Sequence, residues 1–509
     1  MDYNSLPTID GTLSTAENDP DNAQAAAFLS QLSRKRRAAA LVIPTADAQV
    51  RVRLRELGEP ITLFGEGAPE RRDRLREFLL GQQEAEEGVD ADGDYGMVDG
   101  PVGAEGGAAG QQAEEQEEFY TEGSEELLRA RQDISRYSLK RARARIAYQK
   151  VEAGIPLRTH VKHRNEIKAH MKGFSLFGSQ IASERPVSIV RFAPDGKTLA
   201  AGNWAGGIKL YDVPNLEEKR HLRGHSSQVG GIAWYPGATL PASGVSPDSV
   251  NLASGGGDSK IQLWSLTNDQ PLSTLSGHSE RVVRTEFHPS GRYLASASFD
   301  TTWRLWDVFT SEELLLQEGH SKEVFALAFN TDGSLLASGG FDSIGRIWDV
   351  RSGRTVMILE GHTREIFGLD WSPDGYRVMS GSADGMAFCW DVRMVRDVAR
   401  IPAHSRGVTD IRWFQGLDGP ASVGLPGTNE KGETVPKKAG TFVVSCGFDK
   451  NVTVTSAGDW APIVSLSGHS ENVLSCDVTE DARWIASCGR DRTVKLWGRD
   501  DMEGLYQDT

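Results

Sequence analysis

Histidines are the residues of this 509-residue chain whose spacing first suggests chemistry. Six of the eleven recur at one position of a repeated pattern, and His278, His320, His362 and His404 follow one another at intervals of 42 residues. A metal centre or an active site needs convergent side chains, whereas one histidine per repeat distributes them around the structure. We therefore expect each histidine to hydrogen-bond to an aspartate of its own repeat and to pack beside a tryptophan.

The other candidate motifs for catalysis are weak. Gly196-Lys197-Thr198 matches the end of a phosphate-binding loop, but Arg191 stands where the first glycine is required, and the segment should be a hairpin turn. No nucleophile–base pair or group of carboxylates has credible spacing. No Cys-x-x-Cys pair that would indicate a zinc ribbon or a disulfide framework occurs among the cysteines, which are Cys389, Cys446, Cys476 and Cys488. The sequence thus predicts no enzyme, no metal site and no cofactor.

The repeated pattern itself predicts the fold. Each unit runs from a Gly-His pair through an apolar strand, a turn, a strand ending in Asp and a strand ending in Trp, as at His278, Asp300 and Trp306. Four strands in roughly 40–45 residues with these signatures resemble WD40 repeats. Seven strand sets predict an all-β seven-bladed propeller over 174–509, whose first outer strand (about 174–181) completes the last blade and hides the open edges. The residues given a structural role in the blades are His225, His278, His320, His362, His404, His469, Asp258, Asp300, Asp342, Asp384, Asp449, Asp491, Trp264, Trp306, Trp348, Trp390 and Trp497.

Two blades depart from the pattern, and two carry insertions. The first blade lacks the Gly-His pair and has Tyr211-Asp212 in place of Trp-Asp, while the sixth has Thr455-Ser456 there. Insertions at about 236–250 and 415–440 both fall between a first and a second strand, so both should project from one face. Long loops on one face often bind a partner, and tolerated surface insertion is an equal alternative.

Large aromatic residues stand just before several blade aspartates, on the face opposite the insertions. Several large aromatics on one rim exceed casual exposure and indicate a protein-binding patch. The alternative is that their rings pack against neighbouring blades. The candidate rim residues are Trp204, Arg281, Phe299, Phe341 and Phe448.

Charge divides the chain into modules. The chain has 56 Lys+Arg and 71 Asp+Glu, a net charge of −15. Residues 84–126 hold fifteen acidic and no basic residues, whereas 129–172 hold thirteen basic and three acidic ones. The net charge is an average over opposed modules and does not exclude an RNA partner. The composition predicts a disordered basic N-terminus (1–37), a small α-helical motif (38–81), a disordered acidic linker (82–122), a basic helical segment (123–173) and the propeller (174–509).

Residues 125–152 are predicted to form a helix. Its apolar side chains follow 3/4 spacing, interrupted by Arg141, and are Leu127, Ala130, Ile134, Tyr137, Ala144, Tyr148 and Val151. The excess of positive charge indicates a partner; an acidic protein groove and RNA phosphate both fit, and contact with the RNA backbone is preferred. The candidate contacts are Arg129, Arg131, Arg136, Lys140, Arg143, Arg145, Lys150, Lys162, Arg164, Lys168 and Lys172.

A compact apolar pattern marks residues 38–81. A short helix should carry Val50, Leu54 and Leu57 on one face, and a second helix, about 70–80, should carry Leu75, Phe78 and Leu79. So small an apolar set would hardly be stable alone, and it should dock on a partner. The run from Ile43 to Glu66 closely resembles the splicing-factor motif, and its place before a WD40 propeller resembles the pre-mRNA-processing factor four family. The family's motif carries over onto Pro44, Thr45, Leu57, Gly58, Pro60, Leu63 and Phe64.

The resemblance implies a non-catalytic scaffold of the U4/U6 small nuclear ribonucleoprotein (snRNP) and the U4/U6·U5 tri-snRNP, acting in pre-mRNA splicing in the nucleus. Its implied partners are pre-mRNA-processing factor three, other proteins of these particles, U4/U6 snRNA and, in some species, a cyclophilin. Arg34-Lys35-Arg36-Arg37 is the candidate signal for nuclear import, and neither a secretory signal nor a membrane span is recognisable. The alternative is a WD40 substrate receptor of a cullin ubiquitin ligase, indicated by Trp348-Asp349-Val350-Arg351 and Trp390-Asp391-Val392-Arg393.

Overall fold

The computed structural model describes residues 47–57, 71–72, 74–76, 78–79, 124–418, 434 and 436–499. The predicted basic N-terminus (1–37), the acidic linker (82–122) and every motif residue except Leu57 lie outside them. The described parts fall into two compact units, within residues 1–115 and 116–509, and each is described by itself.

The described residues of the N-terminal unit form a helix, further helical turns and a small apolar core. Helix α1 spans Asp47–Glu56, and residues 71–72, 74–76 and 78–79 are also helical. Val50, Leu54 and Leu75 have no exposed surface, and Leu57 and Leu79 pack against them. Positions i and i+4 of a helix share one face, which is why Val50 and Leu54 meet a common neighbour, as their spacing predicted.

The described residues of the second unit form two α-helices, a short 3-10 helix at Pro241–Ser243 and seven four-stranded antiparallel sheets. Blade 1 contains β2–β5, blade 2 β6–β9, blade 3 β10–β13, blade 4 β14–β17, blade 5 β18–β21 and blade 6 β22–β25, while blade 7 contains β26–β28 with β1. The strands are β1 (Ser175–Ile181), β2 (Val187–Phe192), β3 (Thr198–Asn203), β4 (Gly207–Asp212), β5 (Glu218–Arg223), β6 (Val229–Trp234), β7 (Leu252–Gly256), β8 (Lys260–Trp264), β9 (Ser273–Ser276), β10 (Val282–Phe287), β11 (Tyr293–Ser298), β12 (Trp303–Asp307), β13 (Glu313–Gln317), β14 (Val324–Phe329), β15 (Leu335–Gly340), β16 (Gly345–Asp349), β17 (Arg354–Leu359), β18 (Ile366–Trp371), β19 (Arg377–Ser382), β20 (Met386–Asp391), β21 (Arg396–Pro402), β22 (Val408–Trp413), β23 (Phe442–Gly447), β24 (Asn451–Ser456), β25 (Pro462–Ser467), β26 (Val473–Val478), β27 (Ile485–Gly489) and β28 (Thr493–Gly498).

The ring closes as the repeat count predicted. Strand β1 pairs antiparallel with β28, from Ser175 opposite Gly498 to Ile181 opposite Thr493. Blade 7 is therefore built from both ends of the propeller sequence, and the edge of β28 is covered. The seven-bladed WD40 propeller is confirmed.

Small and apolar residues alternate in the strands because neighbouring blades cover both of their faces. The second strands, such as β11 and β15, consist mainly of Ala, Ser, Gly and Leu and are almost entirely buried. In the outermost strands, such as β17, buried residues alternate with exposed residues that face the solvent. Period-two alternation on the outside and continuous burial inside are what stacked sheets require.

Two helices precede the propeller and pack on it. Helix α2 spans Glu125–Glu152 and begins at Ser124, whose hydroxyl accepts a hydrogen bond from the Leu127 amide at 3.2 Å. Helix α3 spans Leu157–Met171 and begins after Pro156. We call α2 and α3 together the helical arm. Among the described residues, no helix combines the length and apolar character of a membrane span.

Candidate interaction surfaces

The antiparallel blades give the propeller two distinct faces. Turns between first and second strands, and between third and fourth strands, share one end of each sheet, which we call the lower face. Turns between second and third strands share the other end with the Gly-His loops, and we call this the upper face. Both predicted insertions follow a first strand and so belong to the lower face, although most of 415–440 lies outside the described residues.

A buried hydrogen-bonded tetrad recurs on the upper side of blades 2, 3, 4, 5 and 7. In blade 3 the His278 Nδ1 lies 2.7 Å from Asp300, its Nε2 lies 2.7 Å from the Ser296 hydroxyl, and the Trp306 indole donates to the same hydroxyl at 2.8 Å. Blade 6 keeps the histidine, serine and aspartate without a tryptophan. The serine was not identified from the sequence, although it occupies the same position in six repeats, at Ser254, Ser296, Ser338, Ser380, Ser445 and Ser487.

Burial and hydrogen bonding shift the pKa of several tetrad side chains. Burial lowers the pKa of His225 and of His362, which favours their neutral form. Burial alone would raise the pKa of Asp491, but hydrogen bonds from His469 and Thr493 lower it to about 2. A histidine hydrogen-bonded between a carboxylate and a serine orients a tryptophan through the serine hydroxyl, and this accounts for the spacing without convergent chemistry.

The helical arm lies across the lower face. The Tyr137 hydroxyl donates to the Pro289 carbonyl at 2.8 Å in blade 3, and Arg141 donates to the Thr331 carbonyl at 3.1 Å in blade 4. Arg145 pairs with Asp332 at 2.7 Å, and the Gln149 amide donates to the Asp374 carbonyl of blade 5 at 3.0 Å. One helix therefore bridges the turns of three consecutive blades.

Apolar contacts anchor both ends of the arm. Leu127 and Ile134 of α2 belong to the core between blades 3 and 4. Ile167 and Met171 of α3 belong to the core of blade 6 and the adjoining sheet of blade 7. Lys168 also pairs with Asp459 in blade 6 at 2.6 Å.

The face of α2 turned to the propeller differs from the apolar stripe that the 3/4 spacing indicates. Ala144 and Val151, which belong to that stripe, are exposed, whereas Ser138 is buried and Arg141 and Arg145 are half-buried. The physical reason is that the lower face offers carbonyls and carboxylates, so it takes hydroxyl and guanidinium groups in place of methyl groups.

The predicted basic contacts divide into inward and outward groups. Arg131 lies against Gly353, a turn residue with φ +74°, and a Cβ at this position would collide with the guanidinium group. Arg164 lies similarly close to Gly458. Arg129 and Arg136 are exposed and pair within the helix with Glu125 and Asp133. The outward group, whose residues are exposed in the structure, comprises Arg129, Arg136, Lys140, Arg143, Lys150, Lys162 and Lys172.

Aromatic rings form a continuous cluster on the upper face. The phenylalanine cluster comprises five half-buried rings whose neighbouring centroids lie 5.0–6.5 Å apart, and its members are Phe299, Phe325, Phe341, Phe367 and Phe448. Arg281 covers one ring, with its guanidinium carbon 3.6 Å from the Phe299 centroid. Phe325 and Phe367 were not identified from the sequence, although both follow the first residue of a first strand.

Trp204 does not join this cluster. It lies in blade 1, is 38% exposed, and faces Arg490 of blade 7, whose guanidinium carbon is 5.7 Å from the indole centroid. Of the predicted rim residues, the structure therefore brings together Phe299, Phe341, Phe448 and Arg281 and leaves Trp204 apart.

Charged side chains meet in the central channel. Asp410 accepts hydrogen bonds from Arg191 at 3.0 Å and from Arg284 at 3.2 Å, which joins blades 1, 3 and 6. Burial opposes its ionisation, but the two guanidinium groups hold the pKa of Asp410 well below its usual range. Burial raises the pKa of Asp370 to about 7. The described residues contain no group of three side chains suited to a metal ion.

The two tetrapeptides that indicated a ubiquitin-ligase receptor use their arginines internally. Arg351 donates to Asp349 at 2.9 and 3.0 Å. Arg393 donates to Asp391 at 3.2 Å, and its guanidinium carbon lies 3.4 Å from the Tyr376 ring centroid. These contacts give both arginines a local structural role.

Two family models match the chain. The model described as pre-mRNA processing factor 4 (PRP4) like matches residues 50–78, which contain most of α1 and the helical residues 71–72, 74–76 and 78. The model of the WD domain, G-beta repeat, matches 175–212, 216–265, 269–307, 312–349, 353–391 and 460–498. The unmatched stretch between the last two ranges contains most of blade 6, where Thr455-Ser456 replaces Trp-Asp.

Several curated relatives match about half of this chain. The U4/U6 small nuclear ribonucleoprotein PRP4 of Saccharomyces cerevisiae is 35% identical over 53% of this chain and 56% of its own length. The U4/U6 small nuclear ribonucleoprotein Prp4 of Bos taurus is 38% identical over 45% of this chain and 41% of its own length. An uncharacterised WD repeat-containing protein of Schizosaccharomyces pombe is 41% identical over 53% of this chain and 54% of its own length. The chain thus spans about half the length of the curated relatives it matches.

Proposed function

We propose that this chain is a non-catalytic scaffold subunit of the U4/U6 snRNP and the U4/U6·U5 tri-snRNP. It joins a Prp4-like motif to a WD40 propeller and resembles the Prp4 proteins of U4/U6 particles. The observation that carries the proposal is the order of the two matched families, at residues 50–78 and 175–498. Identities of 35–38% to proteins named for U4/U6 particles support a splicing role. The working location is then the nucleus.

The geometry supports a scaffold because it offers several separate surfaces. The small core around Val50, Leu54 and Leu75 is too small to be independently stable and suits docking on a protein such as pre-mRNA-processing factor three. The phenylalanine cluster on the upper face suits another protein of the particle or a cyclophilin, because clustered aromatics with a covering arginine are typical of interface centres.

The outward basic residues of the helical arm suit the backbone of U4/U6 snRNA. Lys140, Arg143 and Lys150 are exposed on α2 and point away from a helix face that is already occupied by the propeller. Phosphate contacts of this kind position a protein on RNA without reading its sequence. The inward arginines stabilise the platform from which these cations project.

Purification of the tagged full chain from its own cells, followed by RNA quantification, tests the proposal. We expect enrichment of U4 and U6 RNA over U1 RNA. Lys140→Glu with Arg143→Glu should reduce the recovery, whereas Arg354→Glu with Arg396→Glu, at exposed positions on outer strands, is the matched control. Absence of U4 and U6 RNA from the wild-type preparation would refute the proposed function.

A further inference from the structure

Blade 1 has lost its tetrad. Ala201 pairs with Lys209 as the tetrad Ser296 pairs with Arg304, so alanine stands at the serine position. The same alignment places Tyr211 at the position of the tryptophan. Ser183, four residues before Val187, occupies the position of the histidine in the other blades. Ala205, directly after Trp204, occupies the position of their aspartate.

An open cleft occupies the place of the missing side chains. It has a volume of about 820 Å³ and is lined by residues 181–185, by Asn203 and residues 205–207 of the next turn, and by the end of β5, while Trp204 stands outside this lining and adjoins it. These segments belong to the upper face, opposite the helical arm. The replacement of an aspartate and a histidine by Ala205 and Ser183 removes both bulk and a negative charge from this position.

The cleft has an excess of positive charge, because Glu184 is its one acidic lining residue beside Arg185, Lys209, Arg223 and Arg492. Arg185, Arg223 and Arg492 are exposed and form no ion pair with the described residues. Among the same residues, Lys209 pairs with Glu218 at 2.7 Å. In blade 3, by contrast, the corresponding arginine contacts both the outer-strand glutamate and the tetrad aspartate. The absence of the aspartate in blade 1 therefore leaves the positive charges of the cleft in excess.

An aromatic platform lies beside the cations. Trp204 directly precedes Ala205 of the cleft wall and keeps 38% of its surface exposed. Arg490 lies over the indole and adds positive charge next to it. Adjacent guanidinium groups and an exposed ring are the two elements with which proteins hold single-stranded nucleic acid, through phosphate contacts and base stacking.

We propose that the blade 1 cleft binds single-stranded RNA, with phosphates on Arg185, Arg223 and Arg492 and a base stacked on Trp204. This is a second RNA surface, on the face opposite the helical arm, and it rests on the proposed function only for the identity of the RNA. The exposed indole favours RNA over a phosphorylated peptide. A phosphate group on a peptide would bind to the arginines alone, whereas RNA also supplies a base that can stack on the indole.

Fluorescence anisotropy with the purified full chain and a labelled oligouridylate of about six nucleotides tests this proposal. Arg185→Glu with Arg223→Glu should weaken binding at least about tenfold, and loss of two phosphate contacts should reduce the slope of log affinity against log salt by about 1.4. Trp204→Ala should weaken binding roughly tenfold at all salt concentrations. Arg354→Glu with Arg396→Glu carries the same charge change on blades 4 and 5 and should have no effect.

A substitution at Ala205 gives a test that does not remove any contact. Ala205→Asp restores the carboxylate of the other blades, and Ala205→Asn restores its size without the charge; Ala205 is exposed, so both variants should fold. The aspartate variant should weaken RNA binding and the asparagine variant should retain it. Equal affinities for the two variants, or wild-type binding by the Arg185→Glu, Arg223→Glu chain, would overturn the proposal.

A phosphoserine peptide provides the competing ligand. If the peptide binds with the same dependence on Arg185 and Arg223 while the RNA does not bind, the cleft is a phosphopeptide site and the proposal is wrong. The proposal for the cleft and the proposed function can be refuted independently. Unchanged RNA binding by the cleft variants, in a chain that still recovers U4 and U6 RNA from cells, refutes the cleft alone.

Discussion

Replacement of Arg145 by methionine is expected to loosen the helical arm from the lower face. Arg145 is paired with Asp332 at 2.7 Å, and the two side chains keep only 17% and 4% of their surfaces exposed. Methionine retains most of the length of the arginine stem and its packing, so the change removes mainly the charge and its hydrogen bonds. Asp332 is then left buried without a partner.

The cost follows from the state of that carboxylate. Burial raises the pKa of Asp332 even with Arg145 beside it, and Arg145 opposes the rise. Without the guanidinium the carboxyl group takes up a proton more readily, which limits the penalty to the lower end of the usual range for breaking a buried pair. We expect about 3 kcal/mol, equivalent to a change of roughly 100-fold in the opening equilibrium of α2.

Hydrogen exchange of the α2 amides measures this opening directly. Arg143→Met is the matched control, because Arg143 is the same residue type two positions away and is exposed; it should change exchange by less than about 0.5 kcal/mol. In a double-mutant cycle, Asp332→Asn should cost less in the Arg145→Met chain than in the wild type. Equal acceleration by Arg143→Met and Arg145→Met would refute the inward assignment of Arg145.

Three further outcomes are expected. Ser296→Ala removes the shared partner of His278 and Trp306 and should lower the free energy of unfolding by about 2–3 kcal/mol in a denaturant titration; an unchanged transition midpoint would contradict the tetrad. Asp491 has a folded pKa of about 2, below its unfolded value, so its stabilisation is present above about pH 4 and is lost as the pH falls towards 2; Asp491→Asn should flatten that acid limb, and a parallel limb would contradict this. Leu54→Ala should destabilise the docked N-terminal core by about 2–5 kcal/mol and speed proteolysis of residues 47–79 in the particle recovered from cells, whereas exposed Val52→Ala should not.

The propeller could be predicted because one local pattern is repeated. Each Gly-His pair, aspartate and tryptophan marks the same strand ends in successive units, so the blade count and the pairing of β1 with β28 follow from a simple alignment of the repeats. The tetrad serine was missed because a serine in a buried strand resembles ordinary small-residue packing. Only its recurrence at one position distinguishes it.

The docking face of α2 could not be predicted from its apolar residues alone. The inward stripe follows the true helical period through Ile134, Ser138, Arg141, Arg145 and Tyr148, of which three are polar. Whether an arginine faces solvent or a buried carboxylate depends on the turn opposite it, and that turn is some 190 residues away in the sequence. The same information was missing for the phenylalanine cluster, in which aromatic side chains of consecutive blades meet only after those blades have packed together.

Closure of the ring has a consequence for the order of events during synthesis. The side chains of Ser179 in β1 and Lys495 in β28 contact each other across 316 positions of sequence. At about 5–20 residues per second, β28 is made roughly 15–60 s after β1. During that interval the edges of β1 have no partner, and an unpaired edge strand is a template for association with other chains. The ribosome-bound chain is therefore expected to need protection at β1 until its last strand emerges.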